Sequence, residues 1–396
     1  MRKFTFLLSV GLFALTILNV AKSHAAAPLP QSEAMTPILL EVQDAPVPFN
    51  GSDGKTHLVY ELRMINFTSA NVAVKQVEVL SGNGQPIATL DAAQIASRLQ
   101  PFGKRESTSE LTSGAGAQLF LHITLPNAQA VPVKLLHRLQ LHADAAPPGQ
   151  QDFSETGGEI AVDFQQAAVI GPPLRGTGYI SADSCCDATR HTRAALPVNG
   201  RVWLAQRFAV DWEQIDDQGR IFHGPQDKDE SYNIYGKEAI AVADSKVASV
   251  TDKYPSQTPG RYPTNISIEE ADGNSVVLDL GHGRYALYAH LQQGKIRVHA
   301  GEVVKRGQVI GLVGNSGNSL VPHLHFHVMS TPTPLASNGL PYEIDSFQVT
   351  GATQGGTEAF DTAESKGTSL PMKAFSPPLT PRNALPLDQL IISFAP

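Results

Sequence analysis

The sequence predicts an all-β protein built from two successive parts. Short runs rich in β-branched and aromatic residues recur along most of the chain, separated by Gly, Asn, Asp and Pro. Long runs with helical periodicity do not interrupt them. With 396 residues and 42% apolar content, the chain is long enough to fill two hydrophobic cores. We therefore expect two β domains joined by a short linker.

The first part, residues 36–170, contains a series of strand-like runs that begins with "ILLEVQ" and ends with "EIAVDFQ". Regularly spaced short strands with turn residues between them are typical of an antiparallel sandwich. Only "DAAQIASRLQ" has a helical pattern, and it is short. The pattern predicts an immunoglobulin-like β-sandwich that acts as an accessory domain.

A linker is predicted over residues 171–180, where paired prolines and glycines occur in "IGPPLRGTGYI". Strand-like runs resume over residues 181–347 and form the second domain. Residues 348–396 are rich in Gly, Pro, Ser and Thr until the apolar run "LIISFA". We expect an extended tail there, with a last strand that joins one of the sheets.

The N-terminus has the layout of a cleavable secretory signal over residues 1–25. A basic start precedes a long apolar run, and small residues follow before Ala26. The alternative is an uncleaved membrane anchor, because the apolar run approaches spanning length. The run ends at Lys22 and a small-residue site, which favours cleavage after Ala25. We expect an exported protein, periplasmic or extracellular, that is not an integral membrane protein after cleavage.

Charge and cysteine content exclude some functions and leave others open. The formal net charge of -7, without runs of Lys or Arg, argues against binding of nucleic acid. Cys185 and Cys186 are adjacent and cannot join distant parts of the chain. They could form a disulfide with each other, pair with another chain, or bind metal.

Three histidines at alternate positions follow a glycine-rich turn in "GNSGNSLVPHLHFHV": His323, His325 and His327. A strand points them to one face. A catalytic zinc site needs three protein ligands and a water molecule, so further donors must come from elsewhere. His290 ends the run "RYALYAHL", and Asp211 lies in the apolar run "QRFAVDW", where a buried carboxylate requires a counter-charge or a metal.

The order of these elements resembles the lysostaphin-type (LytM-like) zinc endopeptidases, which cleave the peptide cross-links of bacterial peptidoglycan. The resemblance covers about residues 200–330 and includes "GNSVVLDLGHGRYALYAHL", "VVKRGQVIGLVGNSGNS" and "PHLHFHV". It implies a lysostaphin-type antiparallel β-sheet peptidase domain with Zn²⁺ as cofactor. It also implies that Asp211 and His325 are metal ligands, and that His290 and His323 are the catalytic histidines beside the metal.

One position departs from the family pattern. The family usually takes its first metal ligand from a histidine four residues before the aspartate, and Arg207 stands there in this chain. A guanidinium has no lone pair to give. We predict that His191 replaces the missing ligand, with His223 second and the cysteine pair third. His327 stands where the family commonly has Glu, and we expect it to be a bystander for the metal, either exposed on the strand or packed behind the ligands.

The resemblance implies a zinc-dependent endopeptidase that hydrolyses peptidoglycan peptides by metal-activated water. A second reading is a catalytically silent protein of the same fold that binds cell wall or activates a hydrolase, because Arg207 replaces a ligand. A third is an endopeptidase with an unrelated protein substrate. Metal analysis of the purified protein separates the first two readings.

Overall fold

The computed structural model describes residues 35–395 of the chain. The predicted signal segment, residues 1–25, lies outside them. From Pro37 onward the described residues form one compact unit. Among residues 35–395, no helix combines the length and the apolar character needed to cross a membrane.

The first part of the unit consists of two antiparallel sheets, with strand orders β1-β3-β8-β6 and β10-β9-β4-β5. Strand β2 pairs with β3, and β7 pairs with β4. The bounds are β1 (Ile38–Val42), β2 (Phe49–Asn50), β3 (Thr56–Asn66), β4 (Val72–Ser81), β5 (Pro86–Leu90), β6 (Leu99–Pro101), β7 (Glu110–Leu111), β8 (Gly116–Leu125), β9 (Lys134–His142) and β10 (Asp152–Ala161).

The two sheets share one hydrophobic core because apolar residues alternate along their strands. In β9, buried and partly exposed residues alternate along the whole strand, so that Leu135, Leu139 and Leu141 point inward. They join Leu62 of β3 and the other members of one buried cluster. The prediction of an all-β protein is confirmed, whereas the immunoglobulin-like class stays a prediction.

The helical run of the first part is also confirmed. Helix α1 spans Ala92–Arg98, and the Asp91 side chain accepts a hydrogen bond from the backbone of Gln94, whose side chain bonds back to the backbone of Asp91. This capping box satisfies two backbone donors at the helix start. The helix stays short and buries only Ile95.

The second part is built on an eleven-stranded sheet of order β20-β17-β18-β19-β22-β15-β12-β28-β25-β26, with β23 paired to β22. The strands of this part are β11 (Ala168–Ile170), β12 (Gly176–Ala182), β13 (Leu196–Val198), β14 (Arg201–Trp203), β15 (Val210–Gln214), β16 (Glu238–Ile240), β17 (Ser245–Thr251), β18 (Asn274–Gly281), β19 (Arg284–Leu291), β20 (Val303–Val304), β21 (Val309–Leu312), β22 (Leu324–Met329), β23 (Gly339–Leu340), β24 (Tyr342–Ser346), β25 (Gln348–Thr353), β26 (Met372–Leu379), β27 (Arg382–Ala384) and β28 (Leu390–Phe394). The α-helices of this part are α2 (Thr189–Thr192) and α3 (Gly356–Lys366). The 3₁₀ turns lie at Ala128–Ala130 in the first part and at Asp229–Ser231 and Ile268–Glu270 in the second.

Half of the segment predicted as a linker is strand. Residues 176–180 belong to β12, which lies inside the large sheet and pairs with β15 and β28. Tyr179 and Ile180 are fully buried there. Their burial outweighs the low strand propensity of the neighbouring glycines, which had suggested a linker.

The segment predicted as an extended tail, residues 348–396, is also more ordered than expected. It contains α3 and four strands, and β28 lies in the interior of the large sheet between β12 and β25. Helix α3 buries Phe360 and Ala363 in a cluster with Phe222 and Tyr232. Two buried residues give only a weak helical periodicity in the sequence. Tertiary packing therefore contributes most of the stability of this helix.

A buried ion pair joins the two parts of the unit. Arg207 donates from Nε to Oε1 of Glu61 on β3 at 2.8 Å, and its Nη2 donates to the other carboxylate oxygen. The side chains are 7% and 1% exposed. Burial raises the pKa of Glu61, and the guanidinium of Arg207 opposes that rise. Removal of either partner would leave an uncompensated charge in the interior.

We expect Arg207→Met to lower the free energy of unfolding by about 3–5 kcal/mol, because Glu61 then remains buried without a cation. The matched control is Glu159→Gln, which breaks the exposed pair between Lys134 and Glu159. An exposed pair contributes about 0–1 kcal/mol. Denaturant unfolding followed by circular dichroism measures both changes. Equal, small losses for the two variants would contradict a structural role of the buried pair.

Candidate metal centre

The centre of the candidate site is Asp211, in the second position of β15. This strand lies between β22 and β12 in the large sheet. The antiparallel register places Asp211 opposite His325 on one side and opposite Ala182 on the other. The sheet therefore fixes the carboxylate beside the histidine strand.

Three histidines surround the Asp211 carboxylate. Oδ1 lies 2.8 Å from Nδ1 of His325 and 3.5 Å from Nε2 of His323. Oδ2 lies 3.3 Å from Nε2 of His191. Burial alone would raise the pKa of Asp211, but His191, His323 and His325 hold it well below its ordinary value. The carboxylate is therefore ionised and available as a ligand.

His191 reaches Asp211 from the short helix α2, which follows β12 and the cysteine pair. Its Nδ1 donates to the carbonyl of Asp183 at 2.8 Å, which leaves Nε2 facing Asp211. Burial alone would lower the pKa of His191, but the carboxylates of Asp211 and Asp183 raise it to about 9. His191 thus lies beside the aspartate. Arg207 does not, because its side chain points to Glu61.

The two other replacements considered from the sequence do not lie at this site. His223 is exposed and belongs to no candidate metal group among the described residues. Cys185 and Cys186 form a disulfide with each other, so neither offers a thiolate. Cys186 lies near His57 and His122, but the disulfide removes it as a ligand there as well.

His290 and His323 are each oriented by a hydrogen bond from Nδ1 to a backbone carbonyl. Nδ1 of His290 donates to the carbonyl of Ser316 at 2.8 Å, and Nδ1 of His323 donates to the carbonyl of Val321 at 2.8 Å. A carbonyl can only accept, so the proton is on Nδ1 and Nε2 carries a lone pair. Burial and the neighbouring His323 and His325 hold the pKa of His290 well below its ordinary value.

The backbone of His290 is held in the left-handed region, with φ of 62°. Such a conformation costs about 1–3 kcal/mol for a residue other than glycine and occurs most often at functional sites. The backbone N–H donates to the carbonyl of Asp272 at 3.0 Å, which stabilises this conformation at the end of β19. The strain turns the imidazole toward His323, with ring centroids 4.7 Å apart.

His327 is more than the bystander that we predicted. It is 1% exposed, and its Nδ1 lies 3.0 Å from Nε2 of His325. When His325 uses Nδ1 as a ligand, its Nε2–H can donate to His327. Groups that accept this hydrogen bond orient ligating histidines. Of the two positions expected for His327, the structure shows the buried one behind the ligand rather than the exposed one.

Potential metal donors form two overlapping groups. The first consists of His191, Asp211 and His325, and the second of His290, His323 and His325. Within each group the donor atoms lie within 4.8 Å of one another. The structure thus brings together all five residues that the sequence analysis assigned to the site.

Both groups line a cavity of about 320 Å³ that the sequence analysis missed. Its wall includes the carboxyl groups of Asp183, Glu213 and Glu364. Burial, and then the carboxylate of Glu364, raises the pKa of Glu213 well above its ordinary value. Alternation along β15 could have placed Glu213 on the face of Asp211, but no sequence signal placed Glu364 of α3 there.

Residues 232–337 match the model of "Peptidase family M23". The matched segment includes His290, His323 and His325. This chain carries an M23 peptidase domain. Asp211 and His191 precede the matched segment, so the family match does not cover the first donor group completely.

Two proteins with sequence similarity extend the comparison. The peptidoglycan DD-endopeptidase ShyA of Vibrio cholerae is 43% identical over 63 residues, which cover 16% of this chain and 14% of that protein. An uncharacterized metalloprotease of Haemophilus influenzae is 32% identical over 167 residues, or 40% of this chain and 34% of that protein. This chain therefore matches about a third or less of the length of these relatives.

Solved structures similar to this chain include the catalytic domain of lysostaphin from Staphylococcus simulans. It is 22% identical, with a TM-score of 0.21, and the alignment covers 41% of this chain and 86% of that domain. A zinc-containing peptidase from Vibrio cholerae is 16% identical, with a TM-score of 0.23 and coverage of 74% and 83%.

Proposed function

We propose that this chain is an exported zinc-dependent endopeptidase that hydrolyses peptide bonds of peptidoglycan. The proposal rests on two groups of donors that share His325. One group contains Asp211, and the other contains His290 and His323, whose Nε2 atoms are free to bind a proton. The predicted signal over residues 1–25 supports export to the periplasm or the exterior. The peptidoglycan substrate is supported by the printed activity of the ShyA relative.

The donor set of His191, Asp211 and His325 fits zinc. Two imidazoles and a carboxylate are the kind of ligands that catalytic zinc uses, with one position left for water. Ligand atoms on a tetrahedral zinc with bonds of about 2.0–2.2 Å lie about 3.3 Å apart. The distance of 3.3 Å from an Asp211 oxygen to Nε2 of His191 agrees with this spacing. The other Asp211 oxygen lies at a hydrogen-bond distance of 2.8 Å from Nδ1 of His325, so these two atoms would have to separate by about 0.5 Å to hold a metal.

When bound, zinc supplies Lewis-acid polarisation of the scissile carbonyl and lowers the pKa of water. His290 and His323 supply the proton transfers. Their Nδ1 atoms are held by backbone carbonyls, so each Nε2 can accept a proton from the attacking water and later return it to the leaving amine. Once protonated, the same imidazoles can donate to the developing oxyanion.

A catalytically silent wall-binding or hydrolase-activating protein is the second candidate function. It is favoured by Arg207, because this residue cannot serve as a ligand where the family usually has histidine. The position of His191 supports the enzyme instead, since its Nε2 faces Asp211 and an arginine buried with Glu61 has a separate structural explanation.

Zinc content tests the replacement of the first ligand. Purified protein should hold about one zinc per chain, and His191→Ala should lose it on dialysis because only two ligands remain. The matched control is His223→Ala, which removes an exposed histidine outside the site. Metal analysis by mass spectrometry measures all three proteins. Full zinc occupancy in the His191→Ala variant would contradict the assignment of His191 as a ligand. A wild-type protein without zinc would favour the catalytically silent function.

Hydrolysis of purified peptidoglycan tests the activity. The zinc-loaded protein should release peptide fragments, and a chelator should stop the release. His290→Ala or His323→Ala should lower kcat about 10²–10⁴-fold while zinc remains bound, because each removes a proton acceptor.

The control for the hydrolysis assay is His299→Ala, since that side chain is 92% exposed. Cleavage of an unrelated protein such as casein, without release from peptidoglycan, would contradict the proposed substrate. Unchanged kcat in both active-site variants would contradict the proposed roles of His290 and His323.

A further inference from the structure

His191, the proposed replacement ligand, lies on a segment with little regular structure of its own. The His191 segment, residues 183–193, leaves the large sheet at the end of β12 and contains the cysteine pair and helix α2. Helix α2 spans only Thr189–Thr192, and no side chain caps its first turn. A helix of this length is unstable without tertiary contacts. The position of His191 is therefore decided by the residues that hold the segment in place.

Two residues of the first part of the unit hold the segment at Asp187, four residues before His191. Oδ1 of Asp187 accepts a hydrogen bond from Nη1 of Arg98, the last residue of α1. Oδ2 accepts a hydrogen bond from Nδ1 of His122 on β8, at 3.0 Å. Partial burial alone would raise the pKa of Asp187, but His122 and Arg98 hold it below its ordinary value. The carboxylate is thus ionised and held between two donors.

The hydrogen bonds continue from Asp187 into β3. Nε2 of His122 lies 2.8 Å from Nδ1 of His57, and Nε2 of His57 lies 3.0 Å from Oδ1 of Asp53. An ionised carboxylate can only accept, so the imidazole nitrogen that faces each carboxylate carries a proton. The two histidines lie on paired strands, β3 and β8. The contacts of Asp187 are therefore anchored in the sheet of the first part.

Arg193, at the other end of the segment, also contacts the first part. Its Nη1 donates to Oγ of Ser107 at 3.1 Å, and its guanidinium lies over the ring of Phe120, with Cζ 5.7 Å from the ring centroid. Residues of both parts enclose a cavity of only about 10 Å³ here. Such a volume holds no more than about one water molecule, so the two surfaces fit closely. The first part thus holds the segment on both sides of His191.

The second part supports the same segment at other residues. The backbone N–H of Ser184 donates to Oδ1 of Asp388 at 3.0 Å, and Arg190 donates to Oδ2 of Asp361 on α3 at 2.7 Å. Among the described residues, by contrast, the side chain of Asp187 forms its hydrogen bonds only with the first part. Asp187 is therefore the point at which the first part acts most directly on the segment.

We propose that Asp187 is a positioning residue through which the first part of the unit holds His191 at the metal. Arg98 and His122 fix Asp187, and the segment then places Nε2 of His191 3.3 Å from Oδ2 of Asp211. A ligand that is already in place loses less conformational freedom when the metal binds. The accessory sheets would thus raise the affinity for zinc without supplying a ligand. This inference rests on the proposed zinc-dependent function and adds a role for the first part.

The zinc affinity of the full chain tests the role of Asp187. Asp187→Ala should weaken zinc binding about tenfold, since the partners that orient metal ligands contribute about 10–100-fold to metal affinity. The Asp187 side chain is 50% exposed, so the variant should stay folded, which circular dichroism checks. Competition with chelators of graded affinity measures the Kd for zinc.

A double-mutant cycle separates positioning of His191 from a general effect on the structure. In the His191→Ala background, the change Asp187→Ala should leave the zinc Kd unchanged, because no ligand remains on the segment to be positioned. An equal loss of affinity with and without His191 would overturn the proposal. An unchanged Kd in the Asp187→Ala single variant would overturn it as well.

The matched control is Asp144→Ala, which breaks an exposed pair with His142 inside the first part. It should keep the wild-type Kd. Arg98→Met removes a partner of Asp187 from the other side of the contact and tests the same role if Asp187→Ala does not fold. It should weaken zinc binding only when His191 is present, and an unchanged Kd would contradict the proposal.

The outcomes distinguish this inference from the proposed function. A wild type without zinc, or a His191→Ala variant with the wild-type Kd, would overturn the proposed metal centre and the inference with it. Zinc binding that depends on His191 but not on Asp187 or Arg98 would overturn the inference alone and leave the proposed endopeptidase.

Discussion

The carboxylate of Asp211 is the interaction on which the site depends. It lies at the centre of an eleven-stranded sheet with only 19% of its side chain exposed, and one oxygen faces His325 while the other faces His191. A charge in such a place requires partners of opposite charge or a metal, because its hydration is lost. The sheet register supplies His325, whereas the turn after β12 supplies His191. The backbone carbonyls that hold His191, His290 and His323 then point their Nε2 atoms toward the same region.

Arg207 connects this site to the accessory sheets. The position that the family usually gives to a ligand is instead part of a buried ion pair with Glu61. A buried pair is strongly destabilising when one partner is lost, so the two parts of the unit are tied together at this point. An arginine at this position is compatible with metal binding only if another donor lies beside Asp211. His191 is the residue that lies there. Arg207 cannot provide a metal ligand, and His191 compensates for it.

Sequence alone predicted the strands, because alternation is a local signal, and it proposed site residues that lie close together in the structure. It brought Asp211, His290, His323 and His325 together through a family resemblance, and the register of β15 and β22 explains two of these positions. In residues 348–396 it predicted the last strand but not α3, which is held by the burial of Phe360 against distant residues. The contact between Glu364 and Glu213 could not be predicted either, because a local sequence pattern carries no information on contacts between distant segments. The contact of His327 with His325 was within reach of the strand periodicity.

The central claim is that His191 has replaced the ligand lost at Arg207. The most direct measurement is a crystal structure of the zinc-loaded protein, with the metal located by anomalous scattering at the zinc edge. The account predicts one zinc peak within about 2.0–2.2 Å of His191 Nε2, an Asp211 oxygen and His325 Nδ1. A zinc held by Asp211 and His325 without His191, or a peak only at another place in the molecule, would contradict it.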